Sequence, residues 1–284
     1  MSFGQISGFF LDSCVLLPQS SVSSRDACQK FLNENKECFI SKSVKDELLQ
    51  LSKMSCDAVV TCIRYYMRPA LERKGLINIT RNDATVVAEV LLQEKRRIAK
   101  EYPIRSGVRS ELFGVIENYV ADLIHGLDVN QSVLMDDLLA NVLGVLNKAR
   151  YDIEKPFKTI RVIPVDVDEE LLTFVPMRKL VNKNPKDVGH LMSAVMYQFQ
   201  RNAWVIFVTN DDKDILINAE DIWRNYGLRC TKPVWALDYR REITRFKQPR
   251  QHFQELNIPS VELRQFIVTV EKKLGIKIRP NVLE

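Results

Sequence analysis

Short apolar runs alternate along the chain with segments whose apolar residues recur at helical spacing. The runs that predict buried strands lie at 7–11, 37–41, 159–166, 204–210 and 230–237, with a further strand-like run at 76–79. Several of them, such as WVIFV at 204–208, lack the polar alternation of a half-exposed strand. Uninterrupted apolar strands are typical of a parallel sheet that is covered on both faces.

The segments between these runs show the three-to-four-residue apolar spacing of amphipathic helices. They lie at 23–34, 44–54, 55–74, 82–100, 168–181, 186–201 and 212–227. Ser43 precedes the second of these as an N-cap, and Gly227 follows the last as a C-terminal glycine. This alternation predicts an α/β fold, namely a three-layer α/β/α sandwich with a mostly parallel central sheet.

Two parts of the chain lie outside this alternation. Amphipathic helices at about 109–126 and 131–150 predict a helical hairpin, inserted at about 101–150. The tail at 238–284 begins with closely spaced arginines and continues into a short helix near 260–274. We therefore predict one domain at 1–237 that carries the helical insertion, followed by a basic C-terminal extension at 238–284.

Composition narrows the functional classes only modestly. The chain has 284 residues, a formal net charge of +5 and 46% hydrophobic residues, which is usual for a globular protein. It has no apolar stretch of about 18 residues, so no membrane span is expected. The six cysteines form no Cys-x-x-Cys pair and there are only three histidines, so free thiols in a reducing cytoplasm are expected rather than zinc.

Four acidic residues occupy positions where an α/β sheet binds ligands. Asp12 follows the first apolar run and Asp211 follows the run at 204–210, while Glu47 and Asp187 lie in the first turns of predicted helices. Ligands of open α/β sheets bind beyond the carboxyl ends of the strands. Each acid alone is typical of a turn or a helix cap, so the hypothesis of a shared site depends on the four together.

The order of these acids resembles that of the PIN domain family. Leu11-Asp12-Ser13-Cys14-Val15 matches the family's Asp after the first strand, and Glu47-Leu48 its Glu early in a helix. Asp187, Leu191 and Ala194 match its helix-opening Asp, and Thr209-Asn210-Asp211 its strand that ends in Thr-x-Asp. The resemblance covers residues 7 to about 100 and 157 to about 237.

The resemblance implies a metal-dependent ribonuclease, expected to be an endonuclease that cuts single-stranded RNA, with Mg²⁺ or Mn²⁺ as cofactor. Carboxylates without histidine or cysteine suit these hard cations. In this interpretation Asp12, Asp187 and Asp211 hold the metal, and Glu47 binds it through water or orients the attacking water. The candidate substrate-binding residues are Ser13, Thr209, Arg240, Arg241 and Arg245.

Several alternatives stay open at this point. The segment after Thr209 has one more residue than the family's usual Thr-x-Asp-x-Asp, so Asp212 is an alternative fourth ligand, and Asp214 either binds a second metal or caps the next helix. Asp46 is the alternative to Glu47. His190, one turn after Asp187, either lines the pocket or packs within its helix, and the second interpretation is preferred. The alternative function is an inactive PIN-like scaffold that binds RNA or, through its helical insertion, a protein partner or a second copy.

Overall fold

The structure is a computed structural model that describes residues 6–17, 22–102, 107–163, 177, 179, 181, 185–243, 245–255 and 261–277. The chain divides into two compact units. The first consists of Met1–Glu47 with Thr159–Glu284, and the second of Leu48–Lys158. The second unit therefore begins well before the predicted insertion at about 101–150, and the predicted extension belongs to the first unit.

The strands are β1 (Ile6–Leu11), β2 (Cys38–Ser41), β3 (Asn78–Thr80), β4 (Ser132–Leu134), β5 (Arg161–Ile163), β6 (Trp204–Val208) and β7 (Arg229–Thr231). The described helices before β5 are α1 (Ser13–Leu16), α2 (Val22–Glu34), α3 (Lys42–Thr61), α4 (Arg68–Arg73), α5 (Ala84–Glu101), α6 (Gly107–His125) and α7 (Met135–Thr159). The later helices are α8 (Pro185–Arg201), α9 (Ala219–Tyr226), α10 (Ala236–Ile243), α11 (Pro249–Glu255) and α12 (Val261–Leu274).

Five strands of the first unit form a parallel sheet in the order β5-β2-β1-β6-β7. From β1 the chain builds the sheet outward through β2 and β5, and it then crosses back to add β6 and β7 on the other side of β1. The direction of growth thus reverses between β1 and β6. In open α/β sheets such a switch point, at the carboxyl ends of the strands, is where ligands bind.

Both faces of this sheet are covered. Phe10 and Phe207 lie in one continuous core cluster with apolar residues of α8, such as Leu191, and of the tail helices, such as Phe266. On the other face, the ring of Phe9 packs edge-on against Phe31 of α2, with the ring centroids 5.0 Å apart. The α/β fold with a parallel central sheet is confirmed, and helices on both faces are compatible with a three-layer sandwich.

The second unit is mostly helical. The long helix α3 continues through a π-helical segment, Cys62–Met67, into α4, and β3 pairs with β4 in an antiparallel ribbon. Helices α5 and α6 pack against each other, and Lys95 Nζ lies 2.8 Å from Glu117 Oε1 across them. Both helices of the predicted insertion are present, although α7 runs on to Thr159 with Pro156 inside it.

Several predicted elements differ in the structure. The predicted helix at 131–150 begins only at Met135, after β4, and the helices predicted at 44–54 and 55–74 are continuous. The predicted last strand, 230–237, ends at Thr231 because Pro233 has no N–H for a strand ladder; it begins a 3₁₀ turn, Pro233–Trp235, and α10 follows. The predicted helix at 212–227 begins later, with a 3₁₀ turn at Leu216–Asn218, and it ends as predicted at Gly227, whose φ is 60°. The predicted helix at 168–181 lies outside the described residues, apart from isolated positions.

Among the helices that the structure describes, none is long and apolar enough to cross a membrane. All six cysteines are free thiols.

Candidate metal centre

The carboxyl ends of β1 and β6 lie side by side at the switch point of the sheet. Leu11 pairs with Val208 in the parallel register, and the N–H of Asp12 donates to the carbonyl of Val208 over 3.0 Å. Asp12 and Thr209 therefore leave the sheet as neighbours. The first and fourth acids of the predicted set reach the same edge because their strands are adjacent.

Asp12 is buried, with 5% of its surface exposed, and both of its carboxylate oxygens accept hydrogen bonds. Oδ1 accepts from the N–H of Ser13 over 2.7 Å and lies 3.3 Å from Nδ1 of His190. Oδ2 accepts from the hydroxyl of Thr209 over 2.7 Å and from the thiol of Cys14 over 3.0 Å. This carboxylate is thus held in one orientation by groups from α1, from the residue that follows β6, and from α8.

The surroundings of Asp12 favour its ionised form. Burial alone would raise its pKa, but the hydrogen bond and charge of His190, with the bonds from Cys14 and Thr209, hold the pKa below the ordinary value of 3.8. Burial, and after it the charge of Asp12, raises the pKa of the Cys14 thiol well above its usual value. Cys14 therefore stays protonated and acts as a donor.

Acid should destabilise the protein partly through Asp12. Because its pKa is lower in the fold than in the unfolded chain, Asp12 stabilises the fold above its ordinary pKa of 3.8, and this contribution disappears as the pH falls through the folded value. We expect the free energy of unfolding of the wild type to fall more steeply between about pH 5 and pH 2 than that of Asp12→Asn, measured by urea denaturation.

The exposed neighbour acid Asp46 provides the control for this measurement. Asp46→Asn should keep the acid sensitivity of the wild type. Equal pH dependence in wild type and Asp12→Asn would contradict the role given to Asp12.

The loop after β6 is organised by the side chain of Asp211. The backbone N–H of Asp211 donates to the hydroxyl of Thr209 over 3.0 Å. The side-chain Oδ1 of Asp211 accepts from the backbone N–H groups of Lys213 and Asp214 over 3.1 and 3.0 Å. These bonds fold residues 211–214 into a turn before the helix begins. The turn explains why the predicted helix starts late, and it brings Asp214 back towards Asp211.

Three carboxylates converge beyond this edge of the sheet. Asp187, Asp211 and Asp214 each offer an oxygen atom, and these oxygens all lie within 4.8 Å of one another. All three residues are half-buried. Asp187 joins the group because it lies in the first turn of α8, the helix that leads back into β6. Three oxygen ligands at this spacing could hold a divalent metal ion.

No family model, curated protein or solved structure matches this chain at a significant level. The resemblance to the PIN family, and the metal and activity that it implies, therefore stay predictions. What the structure adds to them is the parallel sheet and the convergence of three acids at its switch point.

Glu47 lies on α3 and is not one of the three converging acids. Its Oε1 accepts from Nζ of Lys186 over 3.1 Å, and its Oε2 lies 3.7 Å from Nε2 of His190. The alternative Asp46 is exposed. Of the two acids, Glu47 is thus the one whose carboxylate lies next to Lys186 and His190.

The alternative ligand Asp212 points elsewhere. It is exposed, and its carboxylate pairs with Nζ of Lys232 at 2.8 Å. The turn formed by Asp211 separates these two consecutive side chains, so Asp211 belongs to the group of three acids and Asp212 does not. Asp214, for which a second metal or a helix cap was predicted, lies in that group with Asp187 and Asp211.

Of the predicted substrate-binding residues, two contact Asp12 and the three arginines do not. Thr209 is fully buried, and its hydroxyl donates to the carboxylate of Asp12 and accepts from the backbone N–H of Asp211. Ser13 is half-buried, and its backbone N–H donates to the carboxylate of Asp12. Arg240 pairs with Glu37, which precedes β2, at the opposite edge of the sheet from the acids. Arg241 and Arg245 are exposed.

Part of the basic tail has a structural role that its charge alone did not indicate. Arg250 donates to the carbonyls of Phe199 and Gln200 over 2.8 and 3.2 Å, and so satisfies the C-terminal end of α8. Arg250 thus contributes to the fold of the first unit. The substrate-binding roles of Arg240, Arg241 and Arg245 stay predictions.

Two side chains that contact Asp12 had only a minor place among the residues predicted from the sequence. Cys14 was treated as a free thiol, and packing was preferred for His190 over a place in the pocket, yet both contact Asp12. His190 lies one helical turn after Asp187, so α8 places them on the same face, and this spacing was the available signal. For Lys186, next to Asp187, nothing in the sequence except its charge indicated a place in the site.

Proposed function

We propose that this protein is a metal-dependent nuclease that hydrolyses phosphodiester bonds of RNA, with Mg²⁺ or Mn²⁺ held by Asp187, Asp211 and Asp214. The observation that supports this most directly is the convergence of these three half-buried carboxylates within 4.8 Å beyond the switch point of the sheet. The ligand position expected for an open α/β sheet and the residues that suit a divalent cation coincide there.

The residues fit magnesium or manganese better than zinc. All three groups are carboxylates, the hard oxygen ligands that Mg²⁺ and Mn²⁺ prefer. The thiol of Cys14 donates a hydrogen bond to Asp12 and is not one of the three converging groups. When bound, such an ion would neutralise phosphate charge and lower the pKa of a bound water molecule.

Exposed lysines beside the acids suit a phosphate backbone. Lys186, one residue before Asp187, has 66% of its side chain exposed, and Lys213 is exposed within the turn that Asp211 forms. Cations near an acidic centre attract the phosphates that the acids alone would repel. In this proposal they take the place of Arg240, which lies at the other edge of the sheet.

The test is cleavage of end-labelled single-stranded RNA by the purified full-length chain. We expect cutting with Mn²⁺ or Mg²⁺ and none with EDTA. An RNA that carries one 2′-deoxynucleotide should still be cut next to it, because attack by water needs no neighbouring 2′-hydroxyl, and this excludes a contaminating ribonuclease that uses that group. Single-stranded DNA of the same sequence tests the substrate class.

Metal binding gives an independent measurement. Because the ion binds the folded chain, Mn²⁺ should raise the melting temperature with increasing concentration. Absence of both stabilisation and cleavage would overturn the proposal. RNA binding without cleavage, in the presence of Mn²⁺, would favour the scaffold function instead.

A further inference from the structure

A buried histidine connects the two acids that stand outside the group of three. His190 is 3% exposed, and its Nδ1 lies 3.3 Å from Oδ1 of Asp12, while its Nε2 lies 3.7 Å from Oε2 of Glu47. An ionised carboxylate only accepts hydrogen bonds, so the Nδ1 proton points at Asp12. The ring is thereby fixed with its other nitrogen towards Glu47.

Lys186 completes this arrangement on the solvent side. Its Nζ donates to Oε1 of Glu47 over 3.1 Å, so Glu47 has the imidazole near one oxygen and the ammonium on the other. We refer to Asp12, His190, Glu47 and Lys186 as the Asp12 chain. It alternates acidic and basic groups from the sheet interior outward.

The lone pairs of Asp12 are filled by protein donors. A carboxylate has about four lone-pair sites. Oδ1 interacts with the N–H of Ser13 and with His190, and Oδ2 with Thr209 and Cys14, all within 3.3 Å. A metal ion at Asp12 would have to displace at least one of these bonds in a site that is only 5% exposed.

We propose that Asp12 is a positioning residue and not a metal ligand: it orients His190, and through His190 it places Glu47 beside the ion that Asp187, Asp211 and Asp214 hold. This inference rests on the proposed function and assigns separate roles within it. The protein then holds one ion. The side chains of the Asp12 chain lie around this ion without binding it directly. Glu47 contacts the ion only through water or not at all.

The test measures Mn²⁺ binding to the full-length chain by isothermal titration calorimetry, with circular dichroism as the check on folding. We expect one Mn²⁺ per wild-type chain. Asp12→Asn and Glu47→Gln should bind it within about threefold of the wild type, whereas Asp211→Asn should weaken binding at least about tenfold. Glu47→Gln, on a half-buried helix position, keeps the test decisive if Asp12→Asn does not fold.

RNA cleavage separates positioning from simple support of the fold. Asp12→Asn should lower the cleavage rate at saturating Mn²⁺ about tenfold or more although its metal affinity is kept. His190→Gln should show the same separation between rate and affinity. A merely structural role would instead lower affinity, rate and melting temperature together.

The outcomes distinguish this inference from the proposed function. Loss of Mn²⁺ binding in Asp12→Asn or Glu47→Gln to the extent seen in Asp211→Asn, or two ions per wild-type chain, would overturn the inference while the nuclease proposal stood. One Mn²⁺ bound independently of Asp12, without any RNA cleavage, would overturn the nuclease proposal and keep the ligand assignment. No Mn²⁺ binding by the wild type would overturn both.

Discussion

Asp211→Asn should reduce metal-dependent RNA cleavage by about 100-fold or more, and Asp212→Asn should leave it within about threefold. The two acids are adjacent in the chain, and each substitution removes one charge without changing the size of the side chain. They differ in position. Asp211 lies in the group of three converging carboxylates, while Asp212 pairs with Lys232 at 2.8 Å on the surface.

The pair is informative because net charge changes equally in both variants. A general electrostatic effect on RNA binding would therefore appear in both, and only a role in the site separates them. The measurement is the single-turnover rate at saturating Mn²⁺, with melting curves to show that both variants fold. Equal losses in the two variants, or a larger loss in Asp212→Asn, would contradict the assignment of Asp211.

Asn in place of Asp211 should also preserve the local turn. Its Oδ1 accepts from the N–H groups of Lys213 and Asp214, and an amide oxygen can accept the same bonds. The expected loss of activity therefore reflects the missing charge and metal ligand. Ala at the same position would remove the turn as well and would mix two effects.

Gly8→Ala should be the most damaging small substitution in the sheet, with a loss of about 3 kcal/mol or more in stability. Gly8 lies in β1 with φ at 137°, a conformation that residues with a side chain rarely adopt. An added Cβ would lie 2.2 Å from the carbonyl oxygen of Glu37 and 2.7 Å from the ring of Phe39. Both the backbone and the contact with β2 would have to change.

Gly144→Ala is the matched control. Gly144 lies within α7, and a Cβ added there has nothing within 4 Å. Alanine in a helix interior is favoured over glycine by about 0.5–1 kcal/mol, so this variant should melt at or slightly above the wild-type temperature. Thermal melting followed by circular dichroism should thus shift in opposite directions for the two variants. A Gly8→Ala melting curve like that of the wild type would contradict the close approach of β1 and β2.

A site built at this edge should also depend on Gly8 indirectly. Asp12 follows the end of this strand, four residues after Gly8, and the register of β1 with β6 places Asp12 beside Thr209. A strained or shifted β1 would move the Asp12 carboxylate relative to its donors. Activity lost in Gly8→Ala would therefore report on the fold and not on the chemistry.

Short-range pattern was enough to predict the class of fold. Runs such as WVIFV, without polar alternation, indicated strands buried on both faces, and the structure has them in a five-stranded parallel sheet. Helix boundaries set by a local residue, such as the end of α9 at Gly227, were also predicted correctly. These features depend on residues that are close together in the chain, so they can be predicted from the sequence.

The sequence alone also placed Asp12, Asp187 and Asp211 at strand ends and helix starts, because those positions follow from the elements themselves. It left Asp211 and Asp212 as alternatives, and it did not show that Asp12 would be enclosed by donors from three separate elements. The order of the strands decided which donors surround Asp12, because β6 lies next to β1 although many residues separate them in the chain.

Only the tertiary structure decided which charged groups face each other. Arg240 and Arg250 are close in a basic run, yet one pairs with Glu37 and the other satisfies the end of α8. The sequence left His190 either packing within its helix or lining the pocket, and the fold places it between Asp12 and Glu47. Helical and strand periodicity fix the face on which a side chain lies, whereas its partner depends on which elements pack together, and long-range packing sets that.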